Sequence, residues 1–96
     1  MFDLPMETSA NKRNYARFRK NLLKEGFVMM QKSIYCKLSL NSGASDLIVK
    51  AVRKFRPEEG LVQLLMITEN QYQSIEYLLG RKTANVVDST ERVIII

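Results

Sequence analysis

The chain closes on Glu91-Arg92-Val93-Ile94-Ile95-Ile96, four β-branched residues in succession at its end. Such residues lose rotamer freedom in a helix and fit a pleated, half-buried surface. The run is therefore a strand, and it demands cover. Left as an open edge it would invite aggregation. A chain of 96 residues makes one domain, and a domain this short buries only somewhat above ~60% of its unfolded surface. Dimerisation would help it, and pairing of the last strand across a dimer would supply the cover.

At the other end stands Met1-Phe2-Asp3-Leu4-Pro5, a lone carboxylate between apolar residues. A charge inside a short apolar run is costly unless it has a partner. Proline cannot continue a sheet ladder, so Asp3 is expected at the C-terminal end of a strand, beside a turn. That is a common place for a metal-binding carboxylate. On these five residues alone the simpler reading is preferred, in which Asp3 only begins the turn before the next helix.

Residues 8–25 form the first predicted helix, capped by Thr8 or Ser9 and stopped by Gly26. Asn11, Tyr15, Phe18 and Leu22 fall on one face, and Arg13, Arg17, Lys20 and Lys24 follow the same spacing on the opposite one. Four cations in one stripe resemble a phosphate-tracking ridge, each able to displace a counterion from a nucleic-acid backbone. A solvated face normally mixes signs, yet no acid lies between Lys12 and Lys24. Binding is therefore placed ahead of a merely solvated face. No aromatic residue interleaves with the cations, so base stacking is not expected.

Phe27-Val28-Met29-Met30 is a buried-strand run, interrupted by Gln31-Lys32. Ile34, Cys36, Leu38 and Leu40 then alternate with polar neighbours, the period of a half-buried strand. The stretch is two strands or one long strand with a bulge. Cys36 on the apolar side is a small core residue rather than a reactive thiol. After the turn Asn41-Ser42-Gly43, the residues Ala44, Leu47, Ile48, Ala51, Val52 and Phe55 make a helical stripe that Pro57 ends. Lys50, Arg53, Lys54 and Arg56 lie elsewhere on that helix. The residues from Gly60 to Thr68 are the most apolar strand and are expected at the centre of the sheet. A helical turn at Glu69 to Gln73, a short extended or helical piece at Ile75 to Leu79 and a polar mobile loop from Gly80 to Thr90 complete the chain.

Charge is unevenly placed. Residues 1–56 hold twelve Lys and Arg against four Asp and Glu, and residues 57–96 hold three against six, which gives +8, −3 and a net +5. A basic first part suggests a polyanion on one face, and the acidic tail a protein partner on another. For the net charge alone, a solvated surface is the safer reading. There is no histidine. That excludes Ser-His triads and histidine bases, and leaves any metal to oxygen ligands, as suits Mg²⁺ or Mn²⁺. One cysteine excludes an internal disulfide framework and fits a reducing cytoplasm. No membrane span or signal peptide is expected.

The order strand, helix, strand, strand, helix, strand is the split β-α-β plan. The fold class expected is α+β, ferredoxin-like, with both helices on one face of an antiparallel sheet. Residues 1–80 form that domain. Residues 81–96 add the mobile loop and a C-terminal strand that is surplus to the plan and completes a dimer sheet.

Four stretches in this order resemble the small CRISPR-associated adaptation proteins of the Cas-two family. They are Phe2-Asp3-Leu4-Pro5; Tyr15-Ala16-Arg17-Phe18-Arg19-Lys20 with Leu22-Leu23 and Gly26-Phe27; Gln31-Lys32-Ser33-Ile34-Tyr35; and Gly60-Leu61-Val62-Gln63-Leu64 with Thr68-Glu69. The last looks most like members that accompany single-protein effector nucleases. Family members carry several apolar residues before the Phe-Asp pair, so the resemblance implies a first strand cut to a stub here. It also implies a homodimer in which Asp3 faces its symmetry mate and the pair holds Mg²⁺ or Mn²⁺ for phosphodiester hydrolysis. Two close carboxylates repel unless a cation or proton lies between them. The same resemblance implies duplex DNA or single-stranded RNA gripped by its backbone, and a Cas-one integrase as partner during spacer capture. Two functions therefore compete, a metal-dependent endonuclease and a non-catalytic DNA-binding scaffold. A generic RNA-binding module is third, weakened by the lack of exposed aromatic pairs on the strands.

Overall fold

A computed structural model describes residues 1–81 and 92–96. Local signals start and stop the first helix, α1 (Ser9–Lys24), after the short strand β1 (Phe2–Asp3). The Thr8 hydroxyl accepts from the Asn11 N–H at 3.0 Å, and the Asn11 side chain accepts from the Thr8 N–H at 3.1 Å. This reciprocal cap satisfies two donors that the helix start leaves orphaned. At the other end Gly26 takes φ +98° and the Phe27 N–H reaches back to the Leu22 carbonyl at 3.0 Å. Only glycine takes that backbone without strain. The Lys37 ammonium donates to the Glu25 carbonyl, a cation at the negative end of the helix.

β2 (Val28–Gln31) and β3 (Ile34–Ser39) form an antiparallel hairpin whose register shifts between Met29 and Gln31. The stretch thus has two strands and an irregularity as well. The buried run expected at 27–30 is corrected: Phe27 is buried, but Val28 and Met29 are about half exposed because β2 is an edge strand. Leu40 falls beyond β3 and is exposed. Asn41 caps α2 (Ser42–Lys54), its side chain accepting from the Ala44 N–H at 2.8 Å. Val52 is buried, with Ile48 and Phe55 packed beside it. Leu47, expected on the same stripe, is exposed, because the buried line runs through Ser45, Ile48 and Val52.

The apolar stretch 60–68 is not one central strand. It divides into β4 (Leu61–Val62) and β5 (Leu65–Thr68), and β5 lies at a sheet edge with Leu65 exposed. After the short α3 (Glu69–Gln73), residues Ile75–Leu79 adopt no regular element. Residues 82–90 of the expected loop, and Glu91 after it, lie outside the described residues. The interior position beside β3 belongs to β6 (Arg92–Ile95), in the order β2-β3-β6-β5, all antiparallel. The physical reason is burial on both faces. Ile94 and Ile96 join Phe2, Phe18, Leu22, Tyr35 and Val52 beneath α1 and α2, whereas Val93 and Ile95 join Cys36 and Tyr72 on the opposite face.

β1 pairs with β4, antiparallel, as a separate two-stranded ladder. The two ladders meet end to end. Tyr35 and Ile96 exchange backbone hydrogen bonds, while the Phe2 N–H donates to Ser33 at 3.0 Å and the Gln63 N–H to Met1 at 2.8 Å. β6 and β1 therefore run the same way along one line, flanked by β3 on one side and by β5 then β4 on the other. The arrangement is the ferredoxin-like α+β plan with its central position shared by two short strands. Both hydrogen-bonding edges of β6 are engaged within the chain. Pairing of this strand across a dimer would require it to leave them.

Candidate functional site

The inward face of α1 buries Phe18 and Leu22, which turns Arg13, Arg17, Lys20 and Lys24 outward, all four exposed. At ~1.5 Å per residue the stripe spans roughly 16 Å, close to five nucleotide steps of ~3.4 Å. Its geometry is that of a ridge that can lie along one backbone strand.

Sequence periodicity did not join α2 to this ridge. Folding brings Arg17 opposite Lys54 and Arg56 across a cleft of about 410 Å³. Phe18 and Phe55 also line it, their ring centroids 5.8 Å apart and tilted at 51°. The signal available in the sequence was Pro57, which ends α2, but nothing local says that this end abuts α1.

Asp3 is the last residue of β1, placed opposite Leu61, and is exposed between the buried Phe2 and Leu4. Phe2 is locked by an edge-on contact with Phe18 at 5.0 Å and a stacked one with Tyr35 at 5.8 Å. Alternation along the strand turns Asp3 to the face opposite Phe2, away from α1 and α2. Gly60 presses on the same point: its φ is +98°, and a Cβ there would lie 2.7 Å from the Asp3 carbonyl oxygen. The strand-end position expected for Asp3 is thus observed, and the structure separates Asp3 from the α1 ridge by the thickness of the sheet.

Among the described residues no group of three or more His, Cys, Asp or Glu side chains is assembled to hold a metal. Asp3 would contribute one carboxylate from each chain. That donor set still fits a magnesium ion, which keeps several waters and uses one or two carboxylates. On the same sheet face, Cys36 is buried beside Tyr72, a core residue as expected. The Tyr72 phenol is pushed up to about 12, first by burial and then by Cys36 and Tyr77. Among the described residues, no helix is long and apolar enough to cross a membrane.

The family model described as CRISPR associated protein Cas2 matches residues 1–75, which hold Asp3, the α1 ridge and the α2 cations. A protein of Ligilactobacillus salivarius (strain UCC118), named CRISPR-associated endoribonuclease Cas2, is 44% identical over 96 residues, covering 100% of this chain and 95% of its own. One of the same name from Treponema denticola is 45% identical over 95 residues, 99% of this chain and 94% of its own. A third, from Lacticaseibacillus rhamnosus, is 38% identical over 96 residues, 100% of this chain and 95% of its own.

Proposed function

This chain belongs to the CRISPR-associated Cas2 family, and from that premise we propose that it is a nucleic-acid-binding endonuclease of CRISPR adaptation, working as a homodimer. The observation that carries the reading is the outward stripe of Arg13, Arg17, Lys20 and Lys24, exposed together on one helix face. These cations take the phosphates and set where the strand lies. Asp3 has a different task. In a dimer related by a two-fold axis, two Asp3 carboxylates would hold Mg²⁺ or Mn²⁺ between them. The ion when bound lowers the pKa of a water and neutralises phosphate charge. The relatives' name, endoribonuclease, points to RNA as a scissile strand, and duplex DNA fits the ridge equally. The same dimer would bridge Cas-one integrase dimers during spacer acquisition.

A second reading, the scaffold without physiological cleavage, is favoured by one observation. Asp3 lies on the sheet face away from the ridge, so binding does not need it. The binding half is tested by fluorescence anisotropy on duplex DNA and single-stranded RNA over a range of salt. Replacing the four ridge cations with Ala should lower the salt slope by about 0.9 per cation on duplex. An unchanged slope would show the stripe to be only a solvated face.

A further inference from the structure

The basic surface does not stop at α1. Arg17 stands on the flank of the helix that faces the end of α2, with Asn14 and Asn21 three residues before and four after it on the same side of the cleft. Those spacings stack the three side chains along one edge of a helix. From the other wall come Lys54, the last residue of α2, and Arg56, whose Nη1 donates to the Arg53 carbonyl at 3.1 Å. Arg17, Lys54 and Arg56 are all exposed, and Glu58 is the one carboxylate among the lining residues. Three cations drawn together from two elements repel one another, and an anion between them relieves that repulsion. The asparagine amides add donors without adding charge. Phe18 is buried and Phe55 partly so, their rings packed together. The cleft therefore offers charge and amides, not an open ring for base stacking.

We propose that this cleft seats a phosphodiester of a nucleic-acid backbone and carries the strand from α1 across to α2. The inference rests on the reading of α1 as a backbone-binding ridge, and adds Asn14, Asn21, Lys54 and Arg56 to it. Glu58 then opposes binding from the rim, where it limits how tightly the strand is held.

The test is anisotropy with labelled duplex DNA and labelled single-stranded RNA, each titrated at several salt concentrations. Lys54→Ala/Arg56→Ala should lower the slope by about 1.8 on duplex, or about 1.4 on single strands. A change on either probe supports the seat, and the probe that shows it identifies the strand. Glu58→Gln and Glu59→Gln alter net charge equally, both residues are exposed, and Glu59 does not line the cleft. Glu58→Gln should tighten binding several-fold and Glu59→Gln much less. Equal effects of the two, or an unchanged slope in the double variant, overturn the proposal. The Arg13→Ala/Lys20→Ala/Lys24→Ala variant separates this failure from failure of the ridge reading. If it lowers the slope while the cleft variant does not, only the cleft falls; if neither lowers it, the ridge falls too.

Discussion

Replacing Ile94 with Ala tests whether β6 is built into the core of its own chain. Ile94 is 0% exposed, sits opposite Lys37 of β3 and Met66 of β5, and packs beneath α1 and α2. Removing three carbons from such a site forfeits their transfer energy and leaves a cavity, about 2–5 kcal/mol together. A domain of this kind is stable by only about 5–15 kcal/mol. The loss should therefore lower the melting temperature by at least about 8 °C, at roughly 4 °C or more per kcal/mol. Urea unfolding followed by circular dichroism is the assay, with an unchanged m-value and a shifted midpoint expected. Leu79→Ala is the control, since Leu79 is 94% exposed and a surface change is worth within about 0.5 kcal/mol. If Ile94→Ala shifts the midpoint no more than Leu79→Ala, β6 does not lie between β3 and β5, and the described sheet is wrong.

Two further predictions concern positions around the site. Gly60→Ala should cost about 1–3 kcal/mol for its left-handed backbone, and the clash with the Asp3 carbonyl should reduce any cleavage beyond the loss of folded protein. A variant as stable and as active as the parent would mean that Gly60 does not press on β1. Tyr72 titrates above the ordinary tyrosine range, so between roughly pH 10 and 12 the folded chain keeps a proton that the unfolded chain has lost, and stability should fall as pH rises through that window. Ultraviolet absorbance should show a late tyrosinate transition that Tyr72→Phe removes; its persistence in that variant would assign it elsewhere.

What the sequence disclosed depended on how local the cause was. Thr8, Asn11 and Gly26 act within one helical turn of themselves, and the ends of α1 follow from them. Pro5 acts on its immediate neighbours, and it placed Asp3 at a strand end correctly. Strand order is a different matter, because it is decided by competition between distant segments for one slot. Residues 60–68 and 93–96 are both apolar, and no local signal ranks them. The structure gives the interior to 93–96, whose residues bury on both faces, and leaves Leu61 and Leu65 exposed. The cleft was illegible for the same reason. Helical periodicity orders Arg13, Arg17, Lys20 and Lys24 within α1, but the meeting of Arg17 with Lys54 and Arg56 is a tertiary contact.

In the proposed division of labour, Asp3 would supply metal-dependent chemistry and the helical cations binding, on opposite sides of one sheet. The most direct measurement is Asp3→Asn, compared with the parent for Mg²⁺- or Mn²⁺-dependent cleavage, for duplex binding and for sedimentation. Asn keeps the shape of Asp and removes the charge that draws a cation. Cleavage should be lost, duplex affinity should be unchanged, and the dimer should persist or tighten as carboxylate repulsion is relieved. Spacer acquisition by the variant then separates the two readings: retained, it favours the scaffold; lost with the dimer intact, it makes catalysis part of the pathway. Cleavage by Asp3→Asn at the parent's rate would contradict the assignment of Asp3 as the catalytic carboxylate.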